Sequence, residues 1–360
     1  MNDSFLLDSR YVYSKLEDDI SKNVFLMQLL NNATGDIRFV TGMNAKYRNL
    51  SSDIEIFYEK IHKANKIYIY GAGVNGKAMV KYFPEIKWEA FIDKYRKEKI
   101  DSETKLPILS IESFVENNKN CINDISILIS IINKSQQMEI YKELIDRYGI
   151  CKNNIIFCVN DWRNNSSQYF DLFSPKEHEV FVDCGCYDGG TCYRFLGWCG
   201  NKGYDYIYGF EADKTSYHNS KKNLERINNC TILPFGTSKE NGKMYFYSNE
   251  KEDAHIISSE EAKKTDSDCI EEIDVVSLDN YLKDKRVTFI KMDIEGAEWD
   301  TLLGAEEIIR QNRPRLAISV YHKMGDFIRI PKYLLSIHSD YKIYFRQYSL
   351  INNETIMYAE

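Results

Sequence analysis

Long hydrophobic runs are missing from this sequence. The longest apolar stretch, residues 125–132, is far shorter than the roughly 20 residues that a membrane-spanning helix needs. The first residues are interrupted by charges and lack the apolar core of a secretory signal. We therefore predict no insertion into a membrane and a cytoplasmic location.

An excess of basic residues is also missing. The chain has 47 lysine and arginine residues against 54 aspartate and glutamate residues, for a net charge of -7. A protein that holds nucleic acid by its phosphates carries a basic face. The Pro-Pro-aromatic and Pro-Cys motifs of nucleic-acid methylation are absent as well. We predict that nucleic acid is not a partner.

A disulfide pattern is missing too, although the chain has 9 cysteines. Their number is odd and they are spread along the chain, so we expect free thiols in a reducing compartment. Cys184, Cys186, Cys192 and Cys199 lie close together in sequence, but their spacing matches no paired zinc motif. We predict that this clustering is incidental and that the chain holds no structural metal.

The sequence does have the content of about two folded domains. Its 360 residues, at about 150 residues per domain, are 43% hydrophobic and include 26 Tyr and 18 Phe. Strand-like and helix-like segments alternate in two blocks, which indicates α/β domains with parallel sheets. We predict a helical arm at 1–64, a Rossmann-like nucleotide-binding module at 65–160, a linker at 161–174 and a second α/β domain at 175–360. The arm packs on the next domain or pairs with a second copy.

A glycine-rich turn in the first module has the context of a dinucleotide-binding motif. A strand over 66–70 leads into Gly71, Gly73 and Gly76, a helix follows, and Asp93 ends the second strand. Phosphate binding at a helix N-terminus needs this order of strand, turn and helix. The module resembles small Rossmann-like domains that are fused to carbohydrate-modifying enzymes. We predict a second nucleotide site here, with a docking or purely structural role as the alternative.

The second α/β domain opens with a more informative group of residues. A strand ends at Asp183, Gly185 and Gly189 turn the chain into a helix, and Glu211 ends the next strand. Glycines allow backbone amides to approach a ligand closely. An acid at the tip of the second strand is placed to accept hydrogen bonds from ribose hydroxyls. The pattern therefore favours a nucleoside-type cofactor.

Three carboxylates crowd the end of a later strand, since Asp293, Glu295 and Glu298 lie within six residues of one another. Open α/β sheets bind ligands at this edge. A helix N-terminus stabilised by acids is the alternative explanation. His322 follows the next strand at the same edge, and a neutral histidine can accept a proton.

In their order, these segments resemble the FkbM-type methyltransferases, S-adenosylmethionine-dependent enzymes that mostly methylate sugar or polyketide hydroxyls. The resemblance runs from about residue 175 to 360 and is carried by FVDCGCYDGGT, YGFEAD, VVSLDNYL, FIKMDIEGAEWDTLLGA, RPRLAISVYHK and YKIYFRQYS…ETIMYA. The DIEGAE segment is the most specific. Cys186 replaces the usual alanine and Ala212 the usual proline, but both residues are small. The resemblance implies a seven-stranded class I methyltransferase sheet that ends in an antiparallel hairpin.

The resemblance also implies roles for individual residues. Asp183 and Gly185 would hold the methionine end of the cofactor, Glu211 its ribose, and Asp293 would face the methyl sulfonium. The full set of expected cofactor-binding residues is Asp183, Cys184, Gly185, Cys186, Gly189, Glu211, Ala212 and Asp293. We favour His322 as the general base, with Asp293 or Glu295 as the competing base. A divalent metal held by Asp293, Glu295 and His322 stays open.

We therefore expect an α/β protein with two Rossmann-like parallel-sheet domains in tandem. Its predicted activity is S-adenosylmethionine-dependent O-methylation of a sugar, glycan or related small molecule by in-line transfer. The alternatives are an NAD(P)-linked sugar-modifying enzyme and a nucleotide-binding scaffold. The expected partners are the sugar or glycan substrate and, through the helical arm, a second copy of the chain.

Overall fold

The chain forms two compact units. The computed structural model describes residues 3–159, 166–248, 254–257 and 270–360. The N-terminal unit comprises Met27–Asn164 and Ser349–Asn352, and the C-terminal unit comprises the remaining three segments, Met1–Leu26, Asn165–Tyr348 and Asn353–Glu360. The expected helical arm at 1–64 is thus divided, because its first part belongs to the C-terminal unit.

Helices account for much of both units, and none in the described part of the chain is long and apolar enough to cross a membrane. In chain order they are α1 (Asp3–Ser14), α2 (Asp19–Thr34), α3 (Arg38–Thr41), α4 (Ser52–Lys63), α5 (Val74–Tyr82), α6 (Ile111–Asn118), α7 (Lys134–Asp146), α8 (Gly190–Cys199), α9 (Lys214–Asn223), α10 (Leu278–Tyr281), α11 (Glu298–Leu303), α12 (Glu306–Asn312) and α13 (Asp326–Ile337). Short 3₁₀ turns cover Ala45–Tyr47, Ile122–Asp124, Lys152–Asn154 and Gly200–Lys202.

A five-stranded parallel sheet forms the centre of the N-terminal unit. Its strands are β1 (Lys66–Tyr70), β2 (Trp88–Ile92), β3 (Ile108–Leu109), β4 (Ile125–Ile129) and β5 (Ile155–Phe157), in the order β3-β2-β1-β4-β5. Ile67 and Ile69 belong to one apolar cluster, and Tyr68 and Tyr70 belong to another. Alternate side chains point to opposite faces of a strand, so this sheet is buried on both faces, as parallel sheets usually are.

A seven-stranded sheet forms the centre of the C-terminal unit. Its strands are β6 (Glu179–Cys184), β7 (Tyr204–Phe210), β8 (Cys230–Leu233), β13 (Phe289–Met292), β14 (Arg315–Ser319), β15 (Ile343–Gln347) and β16 (Thr355–Ala359). The order is β15-β16-β14-β13-β6-β7-β8, with β16 antiparallel to both of its neighbours and the other pairs parallel. The predicted fold class, with its closing antiparallel hairpin, is confirmed.

A smaller sheet lies between β8 and β13 in the chain. It consists of β9 (Gly236–Thr237), β10 (Gly242–Ser248), β11 (Ala254–Ile257) and β12 (Ile270–Val276), in the order β11-β10-β12-β9. Strand β12 therefore belongs to this separate sheet and not to the seven-stranded one. The preceding strands of the insertion were not predicted.

Aromatic side chains fill the core of the C-terminal unit. Phe181 and Phe195 stack with their ring centroids 4.5 Å apart, and Phe289 lies against Phe170 at 5.7 Å. Phe170 comes from the segment expected to be a linker at 161–174. Residues 160–165 lie outside the described part of the chain, whereas 169, 170 and 173 are buried core residues.

Candidate functional site

The carboxyl ends of four strands meet at one edge of the seven-stranded sheet. The chain order of the strands reverses between β6 and β13, and open α/β sheets bind ligands at such a point. Asp183 lies near the end of β6, Glu211 follows β7, Asp293 follows β13 and His322 follows β14. The topology therefore brings the expected cofactor-binding residues and the expected catalytic residues to the same edge of the sheet.

The turn after β6 has room for glycine alone at two positions. Gly185 has φ +78°, and a Cβ built there would lie 2.2 Å from the carbonyl oxygen of Asp293. Gly189 precedes α8 with φ +84°, and its Cβ would lie 2.7 Å from a side-chain carbon of Leu224. The amide of Gly185 donates to the carbonyl of Phe210 at the end of β7. The turn is thus held closely against both neighbouring strands.

Asp183 is buried beneath this turn and paired with Lys291 from β13. Lys291 Nζ lies 3.0 Å from Asp183 Oδ1, and both side chains are almost fully enclosed. Lys291 also donates to the carbonyl of Gly185 at 2.7 Å. Burial raises the pKa of Asp183, against the opposing charge of Lys291. The ion pair joins β6 to β13 and fixes the backbone of the turn, which is how Asp183 contributes to the site.

Glu211 connects the glycine turn to the end of β7. Its Oε2 accepts from the amide of Tyr187 at 2.7 Å, and its Oε1 accepts from the amide of Asp213 at 2.9 Å. Burial raises the pKa of Glu211, and these backbone hydrogen bonds oppose that shift. Each carboxylate oxygen retains a second lone pair, so Glu211 is still able to accept from ligand hydroxyls. Ala212 comes next in the chain and separates Glu211 from Asp213.

Asp293 lies at the end of β13 among hydroxyl groups and charges. Tyr169 donates to its Oδ2 at 2.7 Å, and the hydroxyl of Tyr321 lies 3.5 Å from Oδ1. Burial alone would raise the pKa of Asp293, but the charges of Lys291 and His322 and the hydroxyl of Tyr169 lower it below its usual value. Asp293 is therefore a carboxylate at neutral pH.

His322 is enclosed by acids. Its Nδ1 lies 2.8 Å from Glu298 Oε1, and its Nε2 lies 3.3 Å from Glu295 Oε2 and 3.7 Å from Asp293 Oδ1. Burial would lower the pKa of His322, but these three carboxylates raise it well above its usual value. Without a further cation the imidazole therefore keeps its proton at neutral pH. This environment disfavours the neutral histidine base that we expected from the sequence.

Asp293 and His322 also form a potential metal site, in which Glu298 takes the place that we expected for Glu295. One ligand atom each from Asp293, Glu298 and His322 lies within 4.8 Å of the others. Glu298 is fully buried and also accepts from the amide of Ile294 at 3.0 Å. Glu295, which we expected as a ligand, is the most exposed of the acids near His322 and has a left-handed backbone with φ +54°.

Two residues of this site, Lys291 and Tyr169, were not predicted from the sequence. Lys291 interrupts the apolar strand β13, and a lysine at such a position is a signal for a buried charge pair. Tyr169 gave no signal, because it lies in a polar and aromatic segment that we took for a linker. Its partner Asp293 is far away in the chain, and only the folded structure brings the two together.

The four clustered cysteines are packing residues. Cys184, Cys186, Cys192 and Cys199 are buried free thiols. Burial raises the pKa of Cys184 and of Cys199 to about 12, so both thiols are neutral. The described part of the chain contains no cysteine in a potential metal cluster, and Cys269 lies outside that part.

The glycine turn of the N-terminal unit also forms at a strand end. Gly71 has φ +107°, and a Cβ on Gly76 would lie 2.1 Å from the Gly71 carbonyl oxygen. A Cβ on Gly73 would meet nothing within 4 Å. Asp93 Oδ2 accepts from the amide of Ala72, and its Oδ1 accepts from two amides in the loop after β2. The four predicted residues thus gather at the ends of β1 and β2.

The strand order of the C-terminal unit, its glycine turn and the acid after its second strand define a class I methyltransferase fold. Residues 183–346 match the methyltransferase FkbM domain. The C-terminal unit therefore contains a methyltransferase FkbM domain, as the resemblance implied.

A solved structure of an FkbM methyltransferase shares the fold. The crystal structure of the methyltransferase FkbM from Methylobacillus flagellatus KT has a TM-score of 0.52 and 18% identity, and the match covers 95% of this chain and 99% of that chain. An rRNA methylase from Streptococcus thermophilus has a TM-score of 0.33 and 15% identity over 52% of this chain and 87% of its own. Aeropyrum pernix fibrillarin, solved with S-adenosyl-L-methionine, has a TM-score of 0.32 and 11% identity over 52% of this chain and 69% of its own. No curated protein sequence matches the chain.

Proposed function

We propose that the C-terminal unit methylates a hydroxyl group of a sugar, glycan or related small molecule. The proposal rests on two features that lie together at one edge of the sheet. One is a glycine turn that has no room for a side chain, and the other is a cluster of ionised groups. The turn suits a cofactor, and the cluster suits the activation of a hydroxyl. The domain match supplies the reaction class.

The residues around the turn fit S-adenosylmethionine. A side chain on Gly185 would strike the backbone of Asp293, so the glycine lets the turn lie directly against the end of β13 beside the acids. We assign the methionine end to this turn, the ribose to Glu211, and the surroundings of the sulfonium to the carboxylate of Asp293. When bound, the cofactor supplies a methyl group on a positively charged sulfur, and its transfer forms an O–C bond while the C–S electron pair returns to sulfur. The remaining expected residues, Cys184, Cys186, Gly189 and Ala212, shape the turns on either side.

The acceptor hydroxyl must lose its proton to a nearby base. His322 keeps its own proton in this environment, and Asp293 has a lowered pKa. We therefore assign the proton to Glu295, which is exposed and lies 3.3 Å from His322 Nε2, with Asp293 as the alternative. An exposed carboxylate can pass the proton on to water.

A cleft in the same unit supports a sugar as the acceptor. It has a volume of about 470 Å³ and includes Trp299, Tyr333, Arg329 and Lys332 in its lining. The rings of Trp299 and Tyr333 have centroids 5.4 Å apart, and the Arg329 guanidinium lies 4.7 Å from the Trp299 ring. Aromatic rings with polar groups beside them suit a molecule that has both apolar faces and hydroxyls. Trp299 directly follows the active-site residue Glu298 in the chain.

An acceptor screen tests this proposal. Full-length protein is incubated with methyl-labelled S-adenosylmethionine and a panel of nucleotide sugars, oligosaccharides, peptides and RNA. We expect label in the sugar compounds, a loss of about 10²–10⁴ in turnover for Glu295→Gln, and a raised KM for Trp299→Ala that Trp299→Phe restores. Label only in peptide or RNA would show that the acceptor class is wrong.

We also propose nucleotide binding by the N-terminal unit. The strand order in its sheet reverses between β1 and β4, and the glycine turn lies at that point, where such sheets bind ligands. Gly73→Ala separates binding from folding, because a Cβ there meets only open space. Titration with NAD(H) and nucleotide sugars should show saturable binding that Gly73→Ala weakens without a change in melting temperature. No binding of any of these compounds would leave the unit with a structural role.

A further inference from the structure

The acids around His322 carry more negative charge than one imidazole balances. Asp293, Glu295 and Glu298 all approach this ring within 3.7 Å. One imidazole carries at most a single positive charge, against three carboxylates. Like charges this close together, in a partly buried place, are held more readily with a cation between them.

Other cations near the cluster are engaged with different acids. Lys291 pairs with Asp183 at 3.0 Å. Arg329 pairs with Asp326 at 2.6 Å, and Asp326 is itself fully buried. Lys291 also lowers the pKa of Asp293, but in the described part of the chain neither Lys291 nor Arg329 forms an ion pair with Glu295 or Glu298.

Two buried polar atoms in the cluster, His322 Nε2 and Glu298 Oε2, have no partner in hydrogen-bond geometry within the described residues. Glu295 Oε2 lies 3.3 Å from His322 Nε2 as an ion-pair neighbour. The side chain of His322 is 9% exposed and that of Glu298 is 0% exposed. Buried polar atoms normally have a partner. His322 Nδ1 lies 2.8 Å from Glu298 Oε1, so these two side chains are already in direct contact.

We propose that Asp293, Glu298 and His322 bind a divalent cation. Their ligand atoms lie within 4.8 Å of one another, and ligands about 2.1 Å from a cation lie roughly 3–4 Å apart, so small side-chain movements complete the site. Two carboxylates and one imidazole suit Mn²⁺ or Zn²⁺. Three protein ligands also leave coordination positions open for a substrate.

The purpose of the cation rests on the proposed function. A divalent cation lowers the pKa of an oxygen ligand, so it would make an acceptor hydroxyl easier to deprotonate. The proton goes to Glu295 and then to water, the hydroxyl oxygen bonds to the methyl carbon, and the C–S electron pair stays on sulfur. Glu295 is outside the ligand set and is free for this task.

Binding of Mn²⁺ to the full-length protein, without cofactor or acceptor, tests the site. The protein is stripped with a chelator, titrated with MnCl₂ by calorimetry, and examined by electron paramagnetic resonance. We expect one Mn²⁺ per chain in the wild type and at least about tenfold weaker binding in Glu298→Gln and His322→Gln. Glu307→Gln is the matched control, because Glu307 is an exposed acid on α12 outside the cluster. Circular dichroism checks folding, and Asp293→Asn replaces any variant that fails to fold.

The outcomes separate this proposal from the proposed function. No saturable Mn²⁺ binding in the wild type, or equal weakening in Glu307→Gln, would overturn the cation site. Methyl transfer that continues after chelation in a protein that binds no Mn²⁺ would leave the proposed function standing alone. Saturable binding without methylation of any acceptor would support the cation site and contradict the proposed function.

Discussion

The two glycine turns of this chain have similar architecture and different chemical surroundings. In each unit a strand of a parallel sheet leads through glycines into a helix, at the point where the strand order reverses. In the N-terminal unit the acid beside the turn, Asp93, already accepts three backbone hydrogen bonds. In the C-terminal unit a buried ion pair lies under the turn, and acids surround His322 beside it.

This difference separates the features that the backbone fold alone provides from those that indicate chemistry. A glycine turn at a strand end needs little more than backbone geometry, and both units provide that. The C-terminal unit also keeps several charges out of water, which costs free energy unless each charge has a partner. Groups held at such a cost are candidates for function, which is why we place methyl transfer in this unit.

The largest expected effect comes from removing the buried cation beneath the C-terminal turn. Lys291→Met leaves Asp183 as an unpaired buried charge, so we expect a loss of about 3–5 kcal/mol in the free energy of unfolding. Urea denaturation measures the loss. The double variant Asp183→Asn with Lys291→Met should recover a large part of it. A single variant as stable as the wild type would show that the pair does not support the turn.

A smaller effect is expected at the N-terminal turn, where only backbone space is at issue. Gly76→Ala places a Cβ 2.1 Å from the Gly71 carbonyl oxygen, and such overpacking costs about 1–3 kcal/mol. Gly73→Ala is the matched control, since its Cβ meets nothing within 4 Å. Thermal unfolding of both variants checks this prediction. Equal melting temperatures would mean that this turn tolerates side chains and is less constrained than its counterpart.

The smallest effect concerns acid stability. Asp101 in the N-terminal unit pairs with Lys77 and accepts from Thr104 and Glu103, and despite its burial these partners lower its pKa. Because the pKa is lower in the folded state, the stabilisation is present above about pH 4 and is lost as the pH falls. Asp101→Asn should flatten the decline in stability between about pH 5 and 2. An unchanged pH profile would contradict this. Burial raises the pKa of Asp183, so this residue does not contribute to the loss of stability at low pH.

Much of the C-terminal site could be predicted because strand ends converge. The sequence places Asp183, Glu211, Asp293 and His322 at or just after the ends of apolar strands, and parallel strands bring such ends to one edge. The glycines at 185 and 189 follow from the same pattern. The domain match and the seven-stranded sheet then confirmed the methyltransferase domain and the fold.

The parts that escaped prediction depend on contacts between distant segments. Tyr169 meets Asp293 across more than a hundred residues of chain. The protonation of His322 depends on three acids converging on it, and only the fold shows that they do. Phe25 packs against Phe327 and Phe345, so the first helices belong partly with the C-terminal unit. Helical periodicity alone says nothing about which unit a helix joins.

The most direct test of the central claim is calorimetric titration of the full-length protein with S-adenosylmethionine. We expect one site per chain in the wild type and at least about tenfold weaker binding in Gly185→Ala, equivalent to about 1.4 kcal/mol or more. Gly197→Ala is the matched control, since Gly197 lies in α8 and a Cβ there meets nothing within 4 Å. Binding that is lost in Gly185→Ala and kept in Gly197→Ala would support the site. Equal binding in all three proteins would contradict it.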